Sequence, residues 1–313
     1  MEEPDTSRRT PRVCVVGSAN TDLIARIERV PEPGETIMGT EFRIGFGGKG
    51  ANQAVMAARL GAHVVAVVKL GRDQFGDSTV RNFEEQGIDI SHVSLVDGVS
   101  SGVAPIMVEE ESGQNRIVVI PGANATLSPA DVRAAAEDVR NCDVLICQLE
   151  TPLAATVEAF RIAREGGAMT VLNPAPAAPL GEEVLALTDV LVPNESEAEA
   201  LTGMPVGSVA EALSAARSLR EKGPINVVVT LGERGAVGID RDGEELRVEA
   251  EPVRAVDSTG AGDAFVGSLA YFLATGFGLR AATERACRIA TRTVLAHGTQ
   301  SSFPSREELD DFS

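Results

Sequence analysis

The sequence D-S-T-G-A-G-D-A-F at residues 257–265 runs directly into an apolar, helix-compatible segment at residues 266–273. Gly260 and Gly262 allow a tight turn, and the helix after them would point its unpaired N–H groups back at that turn. Such a helix start attracts anions. It also carries Asp263, and an anion-binding turn beside a carboxylate suits the transfer of a phosphoryl group to a hydroxyl. The alternative is that Asp263 only caps the helix.

Around this segment, short apolar runs alternate with amphipathic stretches through most of the 313 residues. Runs rich in Val, Ile and Leu predict buried strands, and the stretches between them have the period of helices. The alternation predicts an α/β fold, with a doubly wound, mostly parallel sheet flanked by helices. The predicted strands are at residues 13–16, 64–68, 144–147, 169–172, 190–192, 226–230 and 236–239, and the predicted helices are at residues 50–60, 77–86, 129–139, 153–164, 195–201 and 209–222.

Two segments break this alternation. Residues 23–44 alternate apolar and polar side chains around P-E-P-G, and residues 102–119 contain two apolar runs joined by E-E-E-S-G-Q. Each predicts an antiparallel strand pair outside the main sheet, and together they would form a small β lid over the ligand-binding edge. Because a small sheet with one apolar face is unstable alone in water, we predict a homodimer through the lid strands. We predict a disordered tail at residues 1–10 and one α/β domain at residues 11–313.

Composition argues against several classes of protein. With 28 basic and 46 acidic residues the formal net charge is −18, which disfavours nucleic acid or anionic membrane as a partner, since both need a basic surface. No apolar run is long enough for a membrane span, and residues 1–10 lack the apolar core of a signal peptide. This favours a cytoplasmic protein, although a chain of this size could also enter the nucleus. The four cysteines form no C-x-x-C pair, so we expect reduced cysteines in the core.

A second glycine-rich segment, G-F-G-G-K-G-A-N-Q-A at residues 45–54, opens the first predicted helix. It lacks the spacing of a Walker A loop. It does place backbone amides, Lys49 and Asn52 at a helix start, where they could hold hydroxyls or phosphate oxygens. The alternative is a flexible turn with a solvated lysine.

Polar residues also follow two of the predicted strands. Asn20 and Asp22 come after the first strand, and an amide beside a carboxylate can bind the vicinal hydroxyls of a polyol. Their alternative role is an Asx turn that leads into the hairpin. Glu150 comes after the strand at residues 144–147 and could share this site or be a surface residue before Pro152.

Two further motifs could bind a nucleotide. Asn194 and Glu197 lie one helical turn apart and could hold hydrated Mg²⁺ near a triphosphate, or could simply cap the helix. T-L-G-E-R-G at residues 230–235 is a glycine-flanked turn between two predicted strands. It could cover nucleotide phosphates or be only a hairpin.

The order of these motifs is more specific than any one of them. Asn20 with Asp22, then G-G-K-G-A-N, N-E-S-E-A-E, T-L-G-x-x-G and D-S-T-G-A-G-D, resembles the ribokinase branch of the PfkB carbohydrate kinase family, from about residue 13 to residue 304. The ending H-G-T-Q-S-S-F-P, from His297, is also similar to that branch. The resemblance implies an ATP-dependent sugar kinase that phosphorylates the 5-hydroxyl of D-ribose to give D-ribose 5-phosphate.

The resemblance also implies the roles of individual residues and the cofactors ATP, Mg²⁺ and K⁺. Asp263 would be the catalytic base, and the anion hole would be formed by the backbone amides of Gly260, Ala261 and Gly262. Sugar-binding residues would be Asn20, Asp22, Gly48, Lys49, Gly50, Asn52, Glu150 and Asp263. Nucleotide-binding residues would be Asn194, Thr230, Leu231, Gly232, Glu233, Arg234, Gly235, Gly262 and Cys287, and relatives often have Asn or His at the last of these. Potassium would bind Asp257, Thr259, Thr293, Ala296, Gly298 and Ser302, and magnesium would bind near Asn194 and Glu197.

The resemblance leaves other activities open. Related kinases act on deoxyribose, fructose or a ketodeoxy acid. Adenosine is less favoured as a substrate, because a nucleoside base wants aromatic partners and Phe, Trp and Tyr make up only 4% of the chain. A non-catalytic sugar or nucleotide sensor on the same fold is the alternative from another class, and an intact Asp263 beside Gly260 and Gly262 argues against it.

Overall fold

The computed structural model describes residues 9–111 and 113–309. Residues 1–8 of the predicted tail lie outside the described residues. The strands, in chain order, are β1 (Arg12–Val16), β2 (Asn20–Ile27), β3 (Glu41–Gly47), β4 (His63–Gly71), β5 (Asp89–Val96), β6 (Gly102–Glu109), β7 (Asn115–Ile117), β8 (Val144–Cys147), β9 (Met169–Leu172), β10 (Val190–Leu191), β11 (Asn226–Thr230), β12 (Ala236–Ile239) and β13 (Glu245–Val248). The helices are α1 (Lys49–Arg59), α2 (Gln74–Glu85), α3 (Pro129–Ala134), α4 (Ala136–Asn141), α5 (Leu153–Gly166), α6 (Glu182–Ala186), α7 (Glu195–Thr202), α8 (Val209–Glu221), α9 (Ala261–Ala274), α10 (Leu279–Thr293) and α11 (Arg306–Leu309).

The main sheet has nine strands in the order β13-β12-β11-β10-β9-β8-β1-β4-β5. The seven strands from β11 to β5 in this order run parallel, and β12 and β13 close one edge as antiparallel neighbours. The predicted α/β fold with a mostly parallel sheet is therefore confirmed. Strands β8, β9, β11 and β12 have the bounds that the sequence predicts.

Helices cover both faces of this sheet, which produces two hydrophobic cores. Along β1, Val13 and Val15 belong to one core, and Cys14 and Val16 belong to the other. This division follows from the alternation of side chains along a strand, and it explains why the parallel strands have nearly continuous apolar sequences. All four cysteines are buried and unbonded to one another, as predicted.

A second, four-stranded sheet has the order β3-β2-β6-β7. The two predicted antiparallel pairs are present as β2 with β3 and β6 with β7. The sequence did not reveal that β2 and β6 join them as parallel neighbours. Asp22, Ile24 and Arg26 of β2 line the cleft against the main body. Phe42 and Ile44 of β3 are 62% and 61% exposed, so apolar surface of this sheet faces solvent.

Several predicted elements need correction. The helix predicted at residues 129–139 is two short helices, α3 and α4, because the backbone at Ala135 (φ −96°, ψ 11°) leaves the helical conformation. The elements that were not predicted are β5, β13, α6, α10 and α11. Strand β5 lies at a sheet edge without fully buried residues, so it lacks a strong apolar pattern, and the buried face of α10 consists mostly of the small residues alanine and threonine. In the described ranges, none of the helices has the length and apolar character that crossing a bilayer requires.

Close packing of α1 against α9 places the starts of both helices side by side. A Cβ atom added to Gly267 of α9 would lie 2.5 Å from the backbone oxygen of Gln53 in α1, so only glycine permits this approach. Just before α1, Gly48 has a φ of +86°, and a Cβ there would lie 2.6 Å from the Cα of Ala19. These two glycines bring the two motifs with the strongest sequence signals together.

Candidate active site

The carboxylate of Asp263 lies where α1 and α9 begin, and its side chain is buried. The side-chain amide of Asn52 donates to one oxygen at 2.8 Å, and that of Gln53 donates to the other at 3.0 Å. Two amide donors fix the orientation of an ionised carboxylate, which accepts hydrogen bonds only. Sequence reasoning placed Asn52 beside the sugar site but missed Gln53, which follows it directly.

The turn before α9 has the conformation that the glycine pattern predicts. Gly260 is the N-cap residue, with a φ of +81°, and no side chain caps the helix. The capping alternative for Asp263 is therefore not what the structure shows. The N–H of Ala261 donates to the carbonyl of Ser258 at 3.3 Å, so the next amides, starting with Gly262, are the ones left to bind an anion.

Lys49 projects into a pocket of about 200 Å³ that also contains Asp263, Asn194 and Glu197. The negative charge of Asp263 is the largest influence on Lys49, and with Glu150 and Glu197 it holds the pKa of the lysine above its ordinary value despite burial. The lysine is therefore a charged group inside the pocket and not a solvated side chain, so the flexible-turn alternative is wrong. A cation fixed among carboxylates can hold a phosphate oxygen.

Glu150 fastens the start of α1 to the end of β1. Its carboxylate accepts a hydrogen bond from the backbone N–H of Lys49 at 3.0 Å and another from the Ser18 hydroxyl. A Cβ atom at Gly50 would lie 2.6 Å from the backbone nitrogen of Ser18, which keeps these segments in contact. The structure therefore makes Glu150 a half-buried site residue and not a free surface residue.

Asn20 and Asp22 lie inside β2, the first strand of the small sheet, and not in an Asx turn. Asn124 donates to the side-chain oxygen of Asn20 at 2.7 Å, which leaves the Asn20 amide N–H groups for another partner. Burial, followed by the charges of Glu150 and Asp263, raises the pKa of Asp22 to about 7. The side chain of Thr299 hydrogen bonds with Asp22, and the hydroxyls of a polyol could supply further donors, because a carboxylate can accept several hydrogen bonds.

Asn194 and Glu197 form a capping box at the start of α7. The Asn194 oxygen accepts from the Glu197 N–H at 2.8 Å, and the Glu197 carboxylate accepts from the Asn194 N–H at 2.9 Å. Burial raises the pKa of Glu197. The capping alternative is thus realised, yet both side chains also line the pocket with Lys49, so capping and binding are compatible.

A cavity of about 710 Å³ adjoins this pocket through Thr230 and Gly262, which line both. Its walls include the turn Gly232–Arg234, Gly235 and Cys287, all predicted nucleotide contacts. Leu231 is different, because its side chain is buried in a hydrophobic core. The volume suits a nucleotide-sized ligand.

Asp257 joins two segments beside α9. Its carboxylate accepts from the Thr259 N–H and from the Gly298 N–H, each at 2.9 Å. Burial raises the pKa of Asp257, but these hydrogen bonds and His297 hold it below its ordinary value overall. The carbonyl of Val294 accepts from the Val256 and Asp257 amides, which brings the segments after β13 and after α10 together.

Comparison with known proteins agrees with this geometry. The model of the pfkB family of carbohydrate kinases matches residues 10–306. The chain belongs to the PfkB family of carbohydrate kinases. A deoxyribokinase of Salmonella typhi is 44% identical over 301 residues, with 96% of this chain and 98% of the relative covered. Mouse ribokinase is also 44% identical over 301 residues, with 95% and 93% covered. The structure of Arabidopsis thaliana ribokinase complexed with ribose and ATP has a TM-score of 0.89 at 30% identity, covering 97% of this chain and 99% of that one.

Three further polar residues, which were not predicted from the sequence, hydrogen bond with residues of this site. Gln148 and Asn173 follow β8 and β9 and hydrogen bond with Gln53, at 2.6 Å and 3.1 Å. Asn124, from a short 3₁₀ helix, holds the backbone of Ala19 as well as Asn20. The signal for Gln148 and Asn173 is their position at the carboxyl ends of buried parallel strands, where ligands bind in such folds.

The raised pKa of Asp22 makes the stability of this kinase depend on pH. Because its folded-state pKa of about 7 exceeds the ordinary 3.8, the folded state binds a proton through this window, and the free energy of unfolding falls as pH rises. We expect Asp22→Asn to raise the melting temperature of the ligand-free protein at pH 8, and to raise it less at pH 5, where Asp22 is already protonated.

Asp73→Asn provides a control in which the expected change of melting temperature at pH 8 has the opposite sign. Burial raises the pKa of this N-cap carboxyl, but hydrogen bonds from Ser101 and Gly76 hold it below its ordinary value overall. Asp73→Asn should therefore lower the melting temperature at pH 8. Thermal denaturation at both pH values checks this, and an Asp22→Asn variant that is equally destabilised at both would contradict the assignment.

Proposed function

We propose that this kinase transfers the γ-phosphoryl group of ATP to the 5-hydroxyl of D-ribose, giving D-ribose 5-phosphate. The observation that carries the proposal is the position of Asp263. Its carboxylate shares a pocket with Lys49 and Gly262, and it is close enough to Asp22 to raise the pKa of that residue. In the proposed reaction, Asp263 would thus act as a base between the residues that would bind the sugar and those that would bind the phosphate.

The proposed mechanism relies on positioning and on stabilisation of charge. Phosphoryl transfer has a loose, anionic transition state, so a strong base is unnecessary. Asp263 would accept the proton of the sugar hydroxyl as the new O–P bond forms. The amide of Gly262 and the ammonium group of Lys49 would stabilise the charge on the transferring group. The cavity beside Gly262 would hold the nucleotide.

Ribose is favoured as the sugar by Asn20 and Asp22. Amide N–H groups on one side chain and a carboxyl with remaining acceptor capacity on the other match adjacent hydroxyls, such as the 2- and 3-hydroxyls of ribose. 2-Deoxyribose is the second candidate, because the deoxyribokinase and the mouse ribokinase have the same identity to this chain. 2-Deoxyribose lacks the 2-hydroxyl and would leave Asn20 and Asp22 partly without hydrogen-bond partners, whereas ribose would not.

Magnesium would bind near Asn194 and Glu197. The fit is supported by their oxygen atoms, the donor type that Mg²⁺ prefers, and by their position in the pocket of Lys49 and Asp263. In the described part of the chain, no group of three or more His, Cys, Asp or Glu residues could hold a metal by itself. The two residues would therefore act together with water and phosphate oxygens. When bound, the ion would neutralise phosphate charge.

Potassium would bind beside the anion-binding turn. The candidate ligands all offer oxygen atoms, and the hydrogen bonds from Thr259 and Gly298 to Asp257 bring their two segments together. The Ser302 hydroxyl is buried nearby and donates to the carbonyl of Thr299 at 2.8 Å. A bound cation would fix the carbonyls of these segments and so orient the amides before α9.

We also propose a homodimer through the small sheet. In β2 and β3, Leu23 lies opposite Ile44 and Ala25 lies opposite Phe42, so one face of the sheet is apolar. A second copy could cover this face while Asp22 and Arg26 continue to face the cleft.

Removal of the base tests the catalytic assignment. We expect Asp263→Asn to lower kcat by roughly 10²–10⁴, the range for loss of a general base, while ATP still binds. The measurements are kcat in a coupled assay and ATP affinity by calorimetry, with Asp242→Asn on a distant exposed loop as the control. A variant with most of its activity would show that Asp263 is not the base.

Sugar preference tests the substrate. We expect wild type to have a higher kcat/KM for ribose than for 2-deoxyribose, since an unpaired buried polar group costs about 1–3 kcal/mol. Asp22→Ala should severely reduce the use of ribose, and Asn20→Ala should narrow the gap between the two sugars. If wild type prefers 2-deoxyribose, the assignment of ribose as the substrate is wrong, although the assignment as a sugar kinase stands.

Cation dependence tests the potassium site. We expect higher kcat in K⁺ than in Na⁺ buffer at equal ionic strength, because the larger cation suits a site built from carbonyl oxygens. Asp257→Ala should abolish this difference. Equal activity of wild type in the two buffers would overturn the proposal without affecting the other assignments.

A further inference from the structure

A row of buried side-chain amides leads away from Asp263 through three segments of the chain. The Asn52 amide in α1 donates to Asp263 at 2.8 Å, and the Gln300 amide donates to the Asn52 oxygen at 3.0 Å. The Asn82 amide in α2 then donates to the Gln300 oxygen at 2.9 Å. All three amide side chains are at most 6% exposed. Asn82 and Gln300 have no assigned role in the phosphoryl transfer proposed above.

The chemistry of these groups fixes the direction of every hydrogen bond in the row. An ionised carboxylate only accepts, so Asn52 must turn its NH₂ group to Asp263 and its oxygen to Gln300. Gln300 must then present its NH₂ group to Asn52 and its oxygen to Asn82. Asn82 completes the row as a donor. Each side-chain amide has two possible orientations, which exchange its oxygen and its NH₂ group. Its neighbour selects one of them, because two oxygens or two NH₂ groups cannot face each other.

We propose that Gln300 and Asn82 are positioning residues for the phosphoryl transfer. They hold the Asn52 amide with its NH₂ group toward the base, and so keep the Asp263 carboxylate aimed at the sugar hydroxyl. Neither residue contacts Asp263 directly. The inference rests on the proposed role of Asp263 as the base.

An acceptor at the far end of the row should reverse every hydrogen bond. In Asn82→Asp, the new carboxylate cannot donate, so the Gln300 amide turns its NH₂ group toward position 82. Its oxygen then faces Asn52, which turns in the same way and presents its own oxygen to Asp263. Two acceptors now face each other unless Asp263 is protonated. A base that is held protonated cannot take the proton of the sugar.

This reversal predicts a pH effect with a definite sign. The charged groups that act on Asp263 are Lys49 on α1, Asp22 on β2 and Glu197 on α7, and all three are still present in Asn82→Asp. Position 82 lines the same cleft as Asp22 and Arg59, so a direct effect of the new charge is tested separately by the double variant below. A hydrogen bond from the protonated carboxyl to the Asn52 oxygen favours the protonated form. The acidic limb of kcat should therefore move to higher pH, and activity lost near pH 7 should partly return near pH 9.

The test compares four variants with wild type at saturating ribose and ATP. Asn82→Asp should lower kcat at pH 7 by roughly 10-fold to 100-fold, the effect of one lost hydrogen bond to a charged group, with the KM for ATP changed by less than about threefold. Asn82→Ala should lose less, because it removes a donor without placing an acceptor there. Gln300→Met should lower kcat, because it removes the donor to Asn52 without adding charge.

The double variant distinguishes an effect on kcat that passes through the row of amides from a direct effect of the new charge. Without the Gln300 amide nothing can be reversed, so adding Asn82→Asp to Gln300→Met should change kcat by less than about threefold. Additive losses would mean that the new carboxylate acts directly through its charge, and would overturn the proposal. Wild-type kcat in both Asn82→Asp and Gln300→Met would also overturn it. If Asp263→Asn is inactive in that case, the proposed function stands and only the positioning role fails.

Discussion

Two helices begin beside each other in this kinase, and the carboxylate of Asp263 joins them through hydrogen bonds from Asn52 and Gln53. This contact fixes the distance between the glycine-rich turn before α1 and the one before α9. This distance lets the two turns act on one ligand, because one turn carries Lys49 and the other carries the amides that can bind an anion. The close packing at Gly267 makes the contact possible.

The same contact concentrates negative charge in a small volume. Asp22, Glu150, Glu197 and Asp263 all influence one another or Lys49. One lysine cannot balance four carboxyl groups. Burial is the main cause of the raised pKa values of Asp22 and Glu197, and the charge of Asp263 adds to both. The approach of an anionic nucleotide would add further negative charge. Backbone amides at helix starts are useful here, because they attract anions without a titratable group, and cations would complete the balance.

Neutral amides perform the complementary task of holding the carboxylates in place. Gln53 donates to one oxygen of Asp263 and Asn52 donates to the other. Gln148 and Asn173 hydrogen bond with Gln53, and Gln300 hydrogen bonds with Asn52. Within this network the side-chain oxygen of Gln148 is buried without a hydrogen-bond partner. The network makes the geometry of the Asp263 carboxylate a property of several strands and helices together.

The α/β fold, most strands of the main sheet and the two glycine-rich turns could be predicted from the sequence. This was possible because periodic apolar runs and glycine conformations are local properties of the chain. The sequence also indicated Asp263 and Lys49, whose motifs are contiguous. Three relations became visible only in the folded chain: β2 and β6 are neighbours, Asn194 and Glu197 cap a helix and line a pocket at once, and Gln300 and Asn82 lead to Asp263. Those relations join residues up to 248 positions apart, as Asn52 and Gln300 are, and a hydrogen bond across such a separation leaves no pattern in the local sequence.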